Sequence, residues 1–245
     1  MDARTQSNLW DGRQVKRALD PHYTANRARI ARIVATIDGH SPSDRASVRV
    51  LNIGVGDARL EGLLLERGYQ VYALDPSPDI VAWVRERYRL DASRAVHGWS
   101  QDLPFAPDTF DWVVMSEVIE HLPTEVMQQT FAQVRRVLKA GGHFVGTVPA
   151  NEDLNLGRYT CAHCGQVSHR VGHEQTFTVT GLRELLARHF DVRRVHVFRG
   201  MHMNWKGVLY YHWIDFPFKV ARLRRPDVRA PHQIVFSIFF LARKP

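Results

Sequence analysis

An open α/β fold built on a mostly parallel sheet follows from three features of this 245-residue chain. The run Val50-Leu51-Asn52-Ile53 ends in Gly54-Val55-Gly56, the pattern of a buried strand whose glycines let the backbone turn sharply toward the next helix. A second apolar run, Val71-Tyr72-Ala73-Leu74, ends in an acid, Asp75, 19 residues after Gly56. A carboxylate at the end of a second strand can accept hydrogen bonds from ribose hydroxyls, so a nucleoside-type ligand is expected at this edge. The third feature is Phe110 to Met115, almost continuously apolar, as a parallel strand covered on both faces should be.

The remaining elements follow in order. Residues 1–47 read as an N-terminal helical cap, with helices over Arg13–Leu19 and Ala25–Ile37 ending at the Gly39-His40-Ser41-Pro42 breaker. Strands are expected at Val48–Ile53, Gln70–Leu74, Ala95–His97, Phe110–Met115 and His143–Val148. Helices are expected at Leu60–Arg67, Asp79–Tyr88, Thr124–Leu138 and Leu182–His189, the third stopped by the C-cap signal Gly141-Gly142. Two late strands, Val192–Phe198 and Ile234–Ala242, complete the set. A core at 48–198 therefore carries a Cys/His insert at about 151–175, an elaboration at 199–233 and a last strand in 234–245. The elaboration is too long for a hairpin.

Composition bounds the function. Thirty-three Lys and Arg against 25 Asp and Glu give a formal +8, which suits an anionic partner such as nucleic acid, a phosphorylated substrate or a membrane surface, or an arginine-rich enzyme without one. No run of about 18 apolar residues is present, so no spanning helix is expected. The first residues lack an apolar signal core, which makes the cytoplasm the default compartment.

Arg59 stands where a dinucleotide fingerprint would place its third glycine, which argues against a nicotinamide cofactor. The order Asn52-Ile53-Gly54-Val55-Gly56-Asp57-Ala58, Leu74-Asp75-Pro76-Ser77, Asp102-Leu103-Pro104-Phe105 and Phe110-Asp111-Trp112-Val113-Val114 resembles the class I S-adenosylmethionine-dependent methyltransferases over residues 48 to 150. The resemblance implies a Rossmann-like, seven-stranded, mostly parallel sheet with flanking helices, the last strand antiparallel, and S-adenosyl-L-methionine as cofactor. It assigns donor binding to Asn52, Gly54, Gly56, Asp75, Pro76, Trp99, Asp102, Leu103 and Ser116. Two positions depart from the family: Asn52 replaces its usual acid, and Trp99 stands where many members carry an acid near the adenine. In similar enzymes the leader closes over the donor, which makes Trp10 and Tyr23 candidates to line the site.

Past the fourth strand, Glu117, Glu120 and His121 are spaced i, i+3, i+4, so a helical turn would place all three on one face at the carboxyl edge. Two carboxylates and an imidazole suit magnesium or manganese, whereas the same residues can equally serve packing. Similar Glu-x-x-Glu-His motifs occur in ubiquinone-pathway O-methyltransferases and in small-RNA 2′-O-methyltransferases. That resemblance adds His173, in His173-Glu174-Gln175-Thr176-Phe177, as a fourth ligand. A divalent ion lowers the pKa of a hydroxyl and fixes its oxygen for in-line attack; His121 or His173 could instead accept the proton. The same stretch contains Cys161-x-x-Cys164 with His169, a zinc-like spacing that competes for His173.

The elaboration reads Trp205, Tyr210, Tyr211, Trp213 and Phe216, then Arg222-Leu223-Arg224-Arg225. It suits a lid over an apolar acceptor, a peripheral membrane contact or a base-stacking surface. The expected function is methyl transfer to a hydroxyl oxygen of a small-molecule or saccharide-like acceptor, assisted by a divalent metal. RNA 2′-O-methylation, metal-independent transfer to carbon or nitrogen, and a donor-binding scaffold are the alternatives.

Overall fold

The computed structural model describes residues 27–160, 163–165, 167–169, 171–199 and 236–245. Five helices among them are α1 (Arg27–His40), α2 (Arg59–Glu66), α3 (Pro78–Tyr88), α4 (Thr124–Val137) and α5 (Val179–Ala187). The strands are β1 (Arg49–Ile53), β2 (Gln70–Asp75), β3 (Ala95–His97), β4 (Phe110–Ser116), β5 (Leu138–Pro149), β6 (Arg158–Thr160), β7 (Val167–His169), β8 (Asp191–Arg199) and β9 (Phe236–Arg243). The expected helix at Arg13–Leu19, the residues Trp10 and Tyr23, and the elaboration at 201–233 lie outside the described residues.

Seven strands form one sheet in the order β3-β2-β1-β4-β5-β9-β8. Pairing is parallel from β3 through β5, and β9 runs antiparallel to both β5 and β8. The expected architecture, including the antiparallel late pair, is therefore the one observed. A separate hairpin, β6–β7, stands in the Cys/His insert, with Arg158 opposite His169.

Alternation along the central strands sends side chains to two layers. Val113 and Met115 of β4 pack with Phe131 and Val134 of α4 and Leu182 and Leu186 of α5. Trp112 and Val114 face the opposite layer, with Ile33, Val34 and Ile37 of α1 and Leu60 and Leu64 of α2. In α1, Ile30, Ile33, Val34 and Ile37 recur at i, i+3, i+4 and i+7, one buried stripe. Ser77 caps α3, its hydroxyl accepting from Ile80 N at 3.4 Å, and Thr178 caps α5 from Gly181 N at 3.0 Å. That cap starts α5 three residues before the expected Leu182.

One boundary is corrected. Helix α4 ends at Val137 and Leu138 already has extended dihedrals, so Gly141-Gly142 is not a helix cap. It lies inside β5 where the register against β4 shifts, and Gly141 has φ +75°. The glycine absorbs a bulge that a side chain would oppose.

Candidate active site

The order β2-β1-β4 places the topological switch point between β1 and β4, where open α/β sheets bind ligands. The loop leaving β1 has positive φ at Gly54 (81°), Gly56 (60°) and Ala58 (50°). It bends tightly into α2 and leaves backbone N–H groups at that helix's N-terminus. Asp75 is buried and holds this loop: one carboxylate oxygen accepts from Val55 N and the other from Ser77 N, each at 2.9 Å. A Cβ on Gly54 would collide with Val118 Cγ2, in the segment after β4. The two loops therefore meet at the switch point.

The other expected donor residues are distributed around this edge. Pro76 lies after Asp75, its carbonyl 3.1 Å from His97 Nε2. Asp102 is exposed, and its N–H donates to the Trp99 carbonyl at 3.1 Å, which closes the turn after β3. Leu103 is buried in the core with Leu74, and Ser116 Oγ lies 2.8 Å from Thr147 Oγ1. Asn52 is not at the loop's open side. It is buried, and its Nδ2 donates to Glu61 Oε1 at 2.7 Å.

The second half of the site is assembled by long-range backbone bonds. The Glu120 carbonyl accepts from Glu174 N and Gln175 N at 2.8 and 3.0 Å, and Asn151 N donates to the Phe177 carbonyl at 2.9 Å. The segment around His173 is thus clamped between the turn after β4 and the chain leaving β5. Donor atoms of Glu120, His121 and His173 lie within 4.8 Å of one another, the only such group among the described residues.

The surrounding bonds orient both imidazoles. His121 Nδ1 lies 3.1 Å from the Gly172 carbonyl and donates to it, so Nε2 keeps its lone pair. His173 Nδ1 bonds the Glu152 carboxylate. Ring nitrogens backed by a carbonyl and a carboxylate are the outer-shell arrangement of metal-binding histidines. Glu120 is fully buried and neither of its carboxylate oxygens has a hydrogen-bond partner. Burial, then the charge of Glu117, pushes its pKa well above the usual range, while burial, then His173, lowers that of His121 to about 3. A cation among these residues would supply the charge that Glu120 lacks.

Glu117 does not join the group. The expected helical turn does not form there: Glu117 has φ +57°, and only Ile119–His121 make a 3-10 turn. Its carboxylate instead pairs with Arg29 of α1 at 3.0 Å. The donor set is one carboxylate and two imidazoles rather than two carboxylates and two imidazoles.

The methyltransferase domain family model matches residues 51–146. An uncharacterized methyltransferase of Geobacillus thermodenitrificans is 29% identical over 143 residues, 58% of this chain and 63% of that protein. A Mycolicibacterium smegmatis protein named "Probable S-adenosylmethionine-dependent methyltransferase" is 32% identical over 157 residues, 57% of this chain and 59% of its own length. Over the matched stretch the chain is similar to class I S-adenosylmethionine-dependent methyltransferases. It spans about three fifths of the length of these two relatives. The fold is shared with the Burkholderia thailandensis 1,6-didemethyltoxoflavin-N1-methyltransferase, solved with 1,6-didemethyltoxoflavin and S-adenosylhomocysteine, at 20% identity and TM-score 0.61. That match covers 98% of this chain and 85% of the other. The [4+2]-cyclase SpnF shares it at 16% identity and TM-score 0.60, covering 98% and 96%, so the fold alone does not set the reaction.

Around this site, sequence reasoning missed three residues. Glu152, three positions past the end of β5, could have been found as an acid at the carboxyl edge. Glu61 left a signal as a charge on the buried side of α2, beside Leu60 and Leu64. Arg29 left none, because nothing local ties α1 to the end of β4. Of the expected zinc ligands, Cys161 lies outside the described residues, Cys164 is exposed, and His169 Nδ1 accepts from His173 N at 3.1 Å. Among the described residues no helix is long and apolar enough to cross a membrane.

Proposed function

We propose that this chain transfers the methyl group of S-adenosylmethionine to a hydroxyl oxygen of a small-molecule or saccharide-like acceptor, assisted by a divalent ion at Glu120, His121 and His173. The observation that carries the reading is the convergence of these donors, with both outer ring nitrogens engaged and a buried, unpartnered carboxylate beside them. Two imidazoles and one carboxylate suit manganese, iron, cobalt or zinc better than magnesium. An ion there would lower the pKa of a coordinated hydroxyl and fix its oxygen. The fold neighbour solved with 1,6-didemethyltoxoflavin supports a small-molecule acceptor.

In the reaction, the acceptor hydroxyl, its pKa lowered, releases its proton to solvent, its oxygen attacks the methyl carbon, the carbon–sulfur bond breaks, and sulfur keeps the electron pair as a thioether. The Gly54–Ala58 loop and Asp75 hold the donor, while the chain from His173 to Phe177 and the turn at Glu120 place the acceptor on its methyl side. His121, with its lowered pKa, is unsuited to take up the proton at neutral pH.

A second reading rests on the His173–Glu152 pair, the geometry of a carboxylate-oriented general base. In it His173 takes the hydroxyl proton without a metal. Methyl transfer in the presence and absence of a chelator, with donor binding measured alongside, separates the two. Loss of transfer with donor binding retained, restored by manganese, supports the metal. Full activity in chelator, abolished by His173→Ala, transfers the role to the general base.

A further inference from the structure

Glu61 stands in the first turn of α2 with no exposed surface. Its bond to Asn52 joins the end of β1 to the start of α2 and so closes the Gly54–Ala58 loop at its base. Glu61 Oε2 and Asn52 Oδ1 are buried and have no hydrogen-bond partner. A buried carboxyl with one oxygen left without a partner is poorly supplied, and an apolar side chain beside Leu60 and Leu64 would fill the place at lower cost. The charged groups around it are mostly of its own sign. Asp57 of the loop and Asp75 of β2 both disfavour its ionisation, Tyr88 of α3 lies within electrostatic reach, and Arg59 is 3.8 Å from Asp57. Burial first, then those acids, hold its pKa at about 7.

We propose that the Asn52–Glu61 pair senses the charge of the methyl donor, so that the loop binds cationic S-adenosylmethionine in preference to the neutral S-adenosylhomocysteine left after transfer. The inference rests on reading the loop as the donor site. The donor carries a sulfonium, an ammonium and one carboxylate, a net charge of +1; the product thioether has lost the sulfonium charge. Negative charge held behind the loop attracts the first and is indifferent to the second. The carboxyl that the family resemblance places on the strand at position 52 is supplied here from the helix, and Asn52 holds it there. Because the sulfonium charge fades as the methyl leaves, the attraction favours the bound donor over the transition state; its gain lies in donor binding and product exchange, and it slows rather than speeds the chemical step.

Glu61 is therefore a positioning residue whose ionisation strengthens donor binding as pH rises through 7. Calorimetric titration of S-adenosylmethionine and of S-adenosylhomocysteine, without metal or acceptor, tests this independently of the transfer reaction. In the wild type the preference for donor over product should grow about tenfold between pH 6 and 8. Glu61→Gln, which keeps the bond from Asn52, should remove that growth, and Asn52→Asp combined with Glu61→Gln should restore it by returning a carboxylate to the pair. A preference flat with pH in the wild type overturns the proposal whatever the variants do. Equal weakening of both ligands in Glu61→Gln also overturns it, since that is the mark of a structural role. Failure of the wild type to bind either nucleoside overturns the donor-site reading and the proposal with it.

Discussion

Replacing Glu120 by Gln should make the metal-free protein more stable. Glu120 is fully buried, neither carboxylate oxygen has a hydrogen-bond partner, and His121 Nε2 is 4.0 Å away. Its pKa is raised from the usual 4.5 by burial, then by the negative charge of Glu117. The folded chain therefore binds a proton more tightly here than the unfolded chain does. Stability is complete below about pH 4.5 and falls as pH rises toward the folded-state pKa. At pH 7 the cost is at most about 3.5 kcal/mol, from about 1.4 kcal/mol for each pH unit above 4.5. Glutamine has the same shape and no titration, so the variant should recover about 1 to 3 kcal/mol, roughly 2 to 10 °C in unfolding temperature for a chain of this size. A divalent ion should narrow or reverse the gap, because an ion at 100 times its Kd stabilises the wild type by about 2.7 kcal/mol and the variant by less. Thermal unfolding of both proteins from pH 5 to 8, in chelator and in manganese, checks this. A Glu120→Gln protein less stable than wild type in chelator at pH 8 would refute the view that this carboxylate is held at a cost for a cation.

Other substitutions probe the remaining contacts. Gly54→Ala forces a side chain into a φ of +81° and against Val118, and should cost at least about 1 kcal/mol and weaken donor binding, read by denaturant unfolding and calorimetry. Arg29→Met leaves Glu117 without its partner at 3.0 Å, in a pair whose side chains are each 18% exposed, and should cost about 1 to 3 kcal/mol in denaturant unfolding. His143 stacks on Trp112 at 4.5 Å, and burial, then the nearby charges of His40 and Arg243, lowers its pKa to about 4. Unfolding should become easier as pH falls from about 6.5 to 4, and His143→Phe should flatten that part of the stability profile.

Much of the donor half was legible because it is locally encoded. Apolar runs mark buried parallel strands, and Gly54-Val55-Gly56 can make its turn with few other residue types. Asp75 follows its strand directly, so its place at the edge comes with the strand. The proposed metal half was legible in composition but not in geometry. Glu117, Glu120 and His121 were grouped by helical spacing, and the chain after β4 turns instead through a left-handed residue into a 3-10 turn. Gly141-Gly142 misled for a similar reason: the same dihedral freedom serves a helix cap or a strand bulge, and the pairing of β5 with β4 and β9 chose the bulge.

The sequence by itself determined the class of fold, the ends of β1 and β2 at Gly54 and Asp75, and the residue types available to hold a cation or a proton. Each of these depends on side-chain period or backbone freedom within a few neighbouring residues. Only the tertiary structure decided which acid faces the histidines. Arg29, 88 positions before Glu117 in the chain, removes that carboxylate from the group, while Glu152 reaches His173 across 21 residues. It also joined Asn52 to Glu61 across the donor loop. A buried charge finds its partner by proximity in the folded chain, where the low dielectric makes an unpaired group costly, and no local pattern in the sequence records which partner that will be.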